Sequence, residues 1–308
     1  MRLSPSAPQP DNRPMAQPFL KWAGGKAKLA PAIIKRAPRW FRRYHEPFLG
    51  GGAVFFAIAK AQPLTGAHLN DANEELMACY QAVRDQPEPL LARLEALAAA
   101  YLPLAHEARA ELYYRVRATV PTLAIDRAAR LIFLNRTCYN GLFRVNAKGQ
   151  FNVPHGRYSN PAIADRARIL AASEALRDAE LTSSDFETAC AAAEPGDLVY
   201  LDPPYVPLSD TASFTAYTAR DFGPSDQRRL RDVFDSLSRR GVAALLSNSA
   251  HETVRDLYRD RGYTFETVAM SRAVNSVGRG RAPIPELLVS NLEHPAVREA
   301  FATLARHA

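Results

Sequence analysis

The sequence predicts an α/β fold in which a mostly parallel sheet carries helices on both faces and is interrupted by an insertion of helices and a β-hairpin. Two observations lead to this fold class. Strand-like apolar runs alternate with patterns of helical period, which is the arrangement typical of parallel sheets. Residues 73–129, in contrast, are rich in Ala and Leu at spacings of three and four and contain few strand formers, so we expect consecutive helices there.

The elements follow in order along the chain. Strand-like segments are expected at residues 45–52, 67–71, 197–205, 242–248, 263–269 and 286–291, and helical patterns at 225–239 and 252–261. Residues 142–145 and 150–153 flank an Asn-Ala-Lys-Gly sequence, which predicts a β-hairpin with a glycine-containing turn.

The domain boundaries follow from these patterns. Residues 1–18 hold five of the 23 prolines and are expected to be a disordered tail. We expect residues 19–73 to form the first part of the α/β domain, 74–161 the insertion and 162–308 the second part of the domain.

The composition indicates an ordinary core and a basic chain. Apolar residues make up 47% of the 308 residues, and 39 Lys and Arg against 32 Asp and Glu give a net charge of +7. The three cysteines lie far apart without a C-x-x-C pair, which argues against disulfides and a zinc site. No apolar run approaches the length of a membrane span. We therefore expect a soluble, cytoplasmic protein that needs no metal and no membrane.

Most of the positive charge falls between residues 113 and 170. This segment holds ten Arg or Lys and two acidic residues, a net charge of +8. A solvated helix face would account for one such cluster about equally well. Aromatic residues interleave with the charges and favour a nucleic acid partner: they are Phe133, Tyr139, Phe143, Phe151 and Tyr158.

The strongest chemical signal is DLVYLDPPY over residues 197–205, an apolar strand that ends in a carboxylate, two prolines and an aromatic ring. Ligands of open α/β sheets bind at the carboxyl ends of strands. Neither Pro203 nor Pro204 has a backbone N–H, so the Pro203 carbonyl and the Asp202 carboxylate are expected to be free acceptors. Two acceptors beside the Tyr205 ring suit a planar base with an exocyclic amine. A rigid strand-to-loop turn is the structural alternative.

Two glycine-containing segments indicate a nucleoside site. HEPFLGGGA over residues 45–53 lets the backbone approach a ligand closely, and Asp71 follows at the offset at which an acid reaches a ribose in nucleoside-binding folds. The phosphate-binding G-x-x-x-x-G-K-[ST] pattern is absent from the sequence, so S-adenosylmethionine is favoured over ATP. FLKWAGGK over residues 19–26 adds lysines and a tryptophan suited to ligand contacts. Taken alone, residues 45–53 could be a structural glycine turn, and residues 19–26 could be the ordinary start of a helix.

Together these segments resemble the DNA adenine methylases, specifically the Dam-type group, from residue 19 to 291. The resemblance rests on the two glycine segments, on DPPY, and on NDAN, LNRTCYNGLFR, FNVPHGRY and FTAY at residues 70–73, 134–144, 151–158 and 214–217. It implies a Rossmann-like S-adenosylmethionine-dependent methyltransferase sheet with an inserted DNA-recognition domain, acting as a monomer on double-stranded DNA. It also implies a prokaryotic or phage origin, a nucleoid-associated location, and a restriction–modification or mismatch-repair setting.

The resemblance also implies roles by position. The catalytic residues would be Asp202, Pro203, Pro204 and Tyr205. Residues holding S-adenosylmethionine would be Trp22, Lys26 at its carboxylate, Phe48, Gly50, Gly52, Asp71 at the ribose, Asp185 near the adenine, and Asp202. Residues contacting DNA would be Lys21, Tyr139, Asn140, Leu142, Arg144, Pro154 and Arg157, with Leu142, Arg144 and Pro154 reading GATC.

The expected reaction is methyl transfer to the exocyclic amino nitrogen of a flipped-out adenine. Ring-carbon cytosine methylation is excluded because none of the cysteines follows a proline. Amino-directed cytosine methylation uses the same acceptors and stays an alternative, as does an inactive DNA-binding regulator with a methylase fold. RNA or protein methylation is a minor alternative.

Overall fold

The fold is built on one seven-stranded sheet. The computed structural model describes residues 15–22, 24–64, 66–146, 148–205, 222–270 and 284–306. The strands are β1 Tyr44–Glu46, β2 Ala67–Asn70, β3 Ala179–Thr182, β4 Leu198–Leu201, β5 Ala243–Ser249, β6 Thr264–Met270 and β7 Ile284–Ser290. Their order is β3-β2-β1-β4-β5-β7-β6, with the first five parallel and β7 antiparallel to both of its neighbours.

This order places a ligand-binding edge at the centre of the sheet. The chain runs outward from β1 through β2 to β3 and then returns to β4 on the other side of β1. Such a reversal opens a crevice at the carboxyl ends of the strands. All residues of β4 and β5 are buried, as expected for parallel strands covered on both faces.

Helices cover both faces of the sheet. They are α1 Ala30–Arg36, α2 Ala53–Ala61, α3 Glu74–Asp85, α4 Pro87–Tyr101, α5 His106–Ala118, α6 Ala124–Thr137, α7 Arg166–Leu176, α8 Phe186–Ala191, α9 Pro224–Arg239, α10 Glu252–Tyr258 and α11 Pro295–Ala305. Side chains cap several of them; Asn73, for example, accepts a hydrogen bond from the Leu76 amide at 3.0 Å at the start of α3. Among the described residues, none of these helices is long and apolar enough to cross a membrane.

Two hydrophobic clusters form the core, one on each face of the sheet. Because side chains alternate along a strand, Leu198 and Tyr200 of β4 join one cluster, whereas Val199 and Leu201 join the other. Helices α8, α9 and α10 pack in the second cluster. The first cluster continues from α1 and α2 into α3, α4 and α6, so these helices extend the same core.

The sequence predictions agree with most of this architecture. The α/β class, the mostly parallel sheet, the consecutive helices after β2 and the strands predicted from apolar runs are confirmed. Strand β3, with the sequence Ala-Glu-Leu-Thr, was not predicted because it is short and half exposed. The predicted hairpin turn is present, with the Asn146 amide donating to the Gln150 carbonyl at 2.9 Å. Its arms, however, make one isolated bridge, Val145 to Phe151, and no regular ladder within the described residues.

Two predictions fall outside the described residues. Residues 1–14 of the expected tail and the FTAY segment at 214–217 both lie there.

Candidate active site

A cavity of about 410 Å³ opens where β1, β2 and β4 end. Its wall brings together most residues predicted for the cofactor and for catalysis, although they lie far apart in the sequence: Trp22, Lys26, Phe48, Gly50, Asp71, Asp185, Asp202, Pro203, Pro204 and Tyr205. Gly52 is not part of this wall. It begins α2 at a φ of 68°, and a Cβ there would lie 2.8 Å from the Tyr80 hydroxyl.

The Asp202 carboxylate is anchored rather than free. Its Oδ1 accepts a hydrogen bond from the Ser247 hydroxyl at 3.0 Å and lies 3.1 Å from Lys26 Nζ. Oδ1 is therefore engaged by donors from two other segments, which the local sequence does not reveal, and Oδ2 makes no hydrogen bond to the described residues. Burial raises the pKa of Asp202, while Lys26 and Ser247 act in the opposite direction.

Lys26 connects three parts of the site. Its ammonium donates to the Gly24 carbonyl at 2.9 Å, pairs with Asp202, and lies 4.5 Å from the centroid of the Tyr205 ring. The Lys26 side chain is 7% exposed. Such a buried cation is stabilised by the carboxylate and the aromatic face together.

The proline loop is held at its second proline. The Pro204 carbonyl accepts a hydrogen bond from the Gln227 amide at 3.3 Å, and the Asn248 amide in turn donates to Gln227 at 3.1 Å. The Pro203 carbonyl makes no hydrogen bond to any residue that the structure describes. This arrangement leaves that carbonyl available as an acceptor, as the sequence predicted.

The glycine loop is tied to Asp71. Gly50 donates its amide to one Asp71 oxygen at 2.9 Å, and Asn73 donates to the other at 3.0 Å. Gly50 has a φ of 49°, and a Cβ there would lie 2.9 Å from Cδ1 of the Trp22 indole. Burial raises the pKa of Asp71, although the two amides lower it. The loop therefore requires glycine both for its backbone conformation and for the close approach of Trp22.

Aromatic rings line the opposite end of the cavity. Phe48 stacks on Phe186 at 5.3 Å between ring centroids, and Phe222 packs edge-on at 5.9 Å from Phe48. At the rim, Asp185 accepts a hydrogen bond from Arg229 at 2.7 Å. A flat apolar slot with a carboxylate at its edge suits a purine that carries an amino group. Phe186, Phe222 and Arg229 were not predicted, because their segments show no nucleoside motif.

Three further polar residues near the proline loop were also missed. Glu46 ends β1, is 2% exposed and accepts a hydrogen bond from the Tyr44 hydroxyl at 2.7 Å. Burial raises the pKa of Glu46 to about 8. Ser247 of β5 and Glu286 of β7 lie beside the Tyr205 hydroxyl, whose pKa is raised by burial. Of the three, only Glu46 lies within a predicted ligand-binding segment, residues 45–53, and this position could have identified it as a site residue.

The residues predicted to contact DNA gather around the turn after α6. The buried Asn135 side chain accepts from the Lys21 amide at 2.8 Å and donates to the Lys21 carbonyl at 2.7 Å and the Gly141 carbonyl at 3.2 Å. The Tyr139 amide donates to the Pro154 carbonyl at 2.9 Å. Asn135 thus joins the N-terminal segment to the loop that contains Tyr139, Asn140 and Leu142.

Arg144 and Arg157 lie on either side of this turn. Arg144 is exposed and donates from Nε to the Asn152 side chain at 2.7 Å. Arg157 is exposed next to Gly156, whose amide donates to the Thr137 carbonyl at 2.8 Å. The Trp22 ring lies against Gly50 and stacks on Phe143 at 4.9 Å, so Trp22 connects the glycine loop to the turn after α6.

The basic segment contributes less surface charge than its composition suggested. Arg130 and Arg136 are buried, and Arg166 and Arg168 pair with Glu88 and Asp165. Three of the interleaved aromatic residues, Phe133, Phe143 and Phe151, are core residues. Two of the ten basic side chains are therefore buried and two more are paired, so the segment does not present its whole charge at the surface; Arg144, Lys148 and Arg157 are among its exposed cations. Among the described residues, no cluster of His, Cys, Asp or Glu is arranged to hold a metal ion.

Comparison with known proteins identifies the family of this chain. The family model described as "D12 class N6 adenine-specific DNA methyltransferase" matches residues 22–274. A type II methyltransferase of Lactococcus lactis subsp. cremoris is 40% identical over 288 residues, which cover 91% of this chain and 97% of that protein. A type II methyltransferase of Methanocaldococcus jannaschii is 40% identical over 89% of this chain and 99% of that protein. A DNA adenine methylase of Vibrio cholerae is 34% identical over 90% of this chain and 96% of that protein.

Proposed function

The chain belongs to the D12 class of N6 adenine-specific DNA methyltransferases, and from that premise we propose that it methylates the adenine of GATC in duplex DNA, with S-adenosylmethionine as the methyl donor. The single observation that carries the proposal is the juxtaposition of Asp202, Pro203 and Tyr205 with the Asp71 glycine loop around one cavity. One half of the cavity has the chemistry of a nucleoside site, and the other half has acceptors for an exocyclic amine.

The cavity residues fit S-adenosylmethionine. The Phe48 slot would hold the adenine with Asp185 at its rim, Asp71 would accept from the ribose hydroxyls, and Lys26 would face the carboxylate. Each Asp71 oxygen receives one amide hydrogen bond, so lone pairs remain for hydroxyl groups. When bound there, the cofactor supplies an electrophilic methyl group.

The protein's own contribution is to hold the adenine and the charge that develops on it. The amino nitrogen is a poor nucleophile, because its lone pair is delocalised into the ring. The Asp202 carboxylate and the Pro203 carbonyl would accept hydrogen bonds from the amino group, localise the lone pair and stabilise the positive charge of the transition state. Tyr205 would stack on the base.

An adenine within a duplex cannot reach Asp202, whose side chain is 19% exposed, so the base must be flipped out. We propose that residues 74–161 provide the DNA-recognising part. Tyr139 is 46% exposed and would fill the gap, with Asn140 beside it. Arg144, Leu142, Pro154 and Lys21 would contact base edges, and Arg157 a phosphate.

The reaction is tested with methyl-labelled S-adenosylmethionine and a duplex containing one GATC. We expect label in N6-methyladenine and none in a matched duplex with GTTC in place of GATC. Equal labelling of both duplexes, or label in cytosine, would contradict the proposed target. A GATC duplex with 2-aminopurine at the target position reports flipping: its fluorescence should rise on binding, and unchanged fluorescence at saturation would contradict flipping.

A further inference from the structure

A buried serine stands behind the carboxylate proposed for catalysis. Strands β4 and β5 are parallel, with Leu201 opposite Leu246, so the next residues along, Asp202 and Ser247, lie side by side. Ser247 is 0% exposed. Its Oγ lies 3.0 Å from Asp202 Oδ1 and 2.7 Å from the Tyr200 hydroxyl. A serine is thus inserted between a buried tyrosine and the carboxylate.

The direction of these hydrogen bonds follows from their chemistry. An ionised carboxylate can accept but not donate, so the single Ser247 proton points to Asp202. Ser247 must then accept from Tyr200, whose hydroxyl keeps its proton because burial raises its pKa well above the usual value. The chain runs from Tyr200 through Ser247 to Asp202, and each bond polarises the next.

Lys26 and Ser247 approach the same oxygen, but they differ in mobility. The Lys26 ammonium lies at the end of a flexible side chain, and it is the group proposed to face the cofactor carboxylate. Ser247 is held by the backbone of β5, where it pairs with Leu288 of β7. Oδ2 of Asp202 makes no hydrogen bond to the part of the chain that the structure describes.

We infer that Ser247 is a positioning residue, which with Tyr200 behind it holds Asp202 Oδ1 against β5 and directs Oδ2 to the adenine amino group. This inference rests on the proposed function. Its consequence is that Ser247 acts on the methyl-transfer step and on the ionisation of Asp202, rather than on binding of the cofactor or DNA.

The test compares Ser247→Thr with Ser247→Val, which have nearly equal volume and differ in the hydroxyl. Single-turnover methyl transfer, at saturating cofactor and duplex, should be slower in the valine variant than in the threonine variant by on the order of 10- to 100-fold, the effect of one hydrogen bond to a charged group. Dissociation constants for duplex and cofactor should differ less than about 3-fold between the two, because Ser247 is fully buried and is not part of the cavity wall.

The pH profile separates positioning from a general packing defect. Other groups that act on Asp202 are Lys26, Glu46, Glu286, Tyr44, Tyr200 and Tyr205, and all of them are retained in both variants. Loss of the hydroxyl removes a donor that favours the ionised carboxylate. The acidic limb of the rate profile should therefore move to higher pH in Ser247→Val and not in Ser247→Thr.

Control variants complete the experiment. Ser238→Ala removes another buried hydroxyl, bonded to the Phe234 carbonyl at 2.7 Å, and should lower stability without moving the acidic limb. Tyr200→Phe removes the hydroxyl that donates to Ser247, and it should move the acidic limb of the rate profile to higher pH by less than Ser247→Val does. This variant provides a test even if Ser247→Val does not fold. Equal rates and limbs for threonine and valine, or an unchanged Tyr200→Phe profile, would overturn the inference. A parent protein that methylates no adenine would instead refute the proposed function.

Discussion

Replacing Gly50 by alanine tests how tightly the glycine loop packs against Trp22. Gly50 has a φ of 49°, and an added Cβ would lie 2.9 Å from Trp22 Cδ1 and 3.2 Å from Nε1. The indole has little room to retreat, because its other contacts include Phe143, stacked at 4.9 Å. The substitution therefore combines a strained backbone with a steric clash.

The two costs can be estimated separately. A left-handed conformation costs an L-residue about 1–2 kcal/mol, and forcing extra volume into a packed site costs about 1–3 kcal/mol. Gly50→Ala should thus lower the free energy of unfolding by about 2–5 kcal/mol. Alanine also lowers the conformational entropy of the unfolded chain. This effect stabilises the folded state by about 0.4–1 kcal/mol and is common to Gly→Ala changes.

Gly149→Ala is the matched control. Gly149 has a φ of 72°, and nothing lies within 4 Å of an added Cβ, so this variant carries the backbone strain without the clash. Urea denaturation of both variants at one pH gives their free energies of unfolding. Gly50→Ala should be less stable than Gly149→Ala by about 1–3 kcal/mol, the cost of the steric clash. Titration calorimetry with S-adenosylmethionine should show roughly 10-fold weaker binding for Gly50→Ala alone, since 1.4 kcal/mol corresponds to tenfold. Equal destabilisation of both variants would refute a rigid Trp22 contact.

Three further substitutions address the chemistry of the site. Asp202→Ala should abolish methyl transfer in a labelling assay while gel-shift binding of the duplex stays nearly intact; a variant that retains activity would contradict the mechanism. Arg144→Ala should lose about 1–3 kcal/mol of discrimination at one guanine in competition binding, whereas uniform weakening on all sequences would identify a phosphate contact. Glu46→Gln should flatten the pH dependence of unfolding: the pKa of Glu46 is raised to about 8, so the parent's extra stability is full below about pH 4.5 and is lost progressively as pH rises to about 8. Parallel curves for parent and Glu46→Gln would show that Glu46 ionises normally.

Much of the fold could be predicted because its signals are local. Parallel strands buried on both faces, such as β4 and β5, are continuous apolar runs that end in polar residues. Strand β3 was not predicted because its composition does not indicate a strand. Its extended conformation comes instead from its pairing with β2 in the sheet.

The candidate site was predicted in part for the same reason. Asp71 and Asp202 follow strands directly, and Gly50 lies in a glycine run, so each has a signal in its own segment. Ser247 and Glu286 have no such signal. Strand register brings them to the proline loop, and neither lies in a segment with a recognisable motif.

The sequence by itself determined the α/β class, the described strands other than β3, the motif residues at the strand ends and the family to which they are similar. These properties depend on residues close together in the chain. The tertiary structure alone decided that Asp202 is held by Lys26 and Ser247, and that Arg130 and Arg136 are buried. Contacts between distant segments, and the removal of a charge from solvent, depend on how the sheet and helices pack, and no local pattern encodes them.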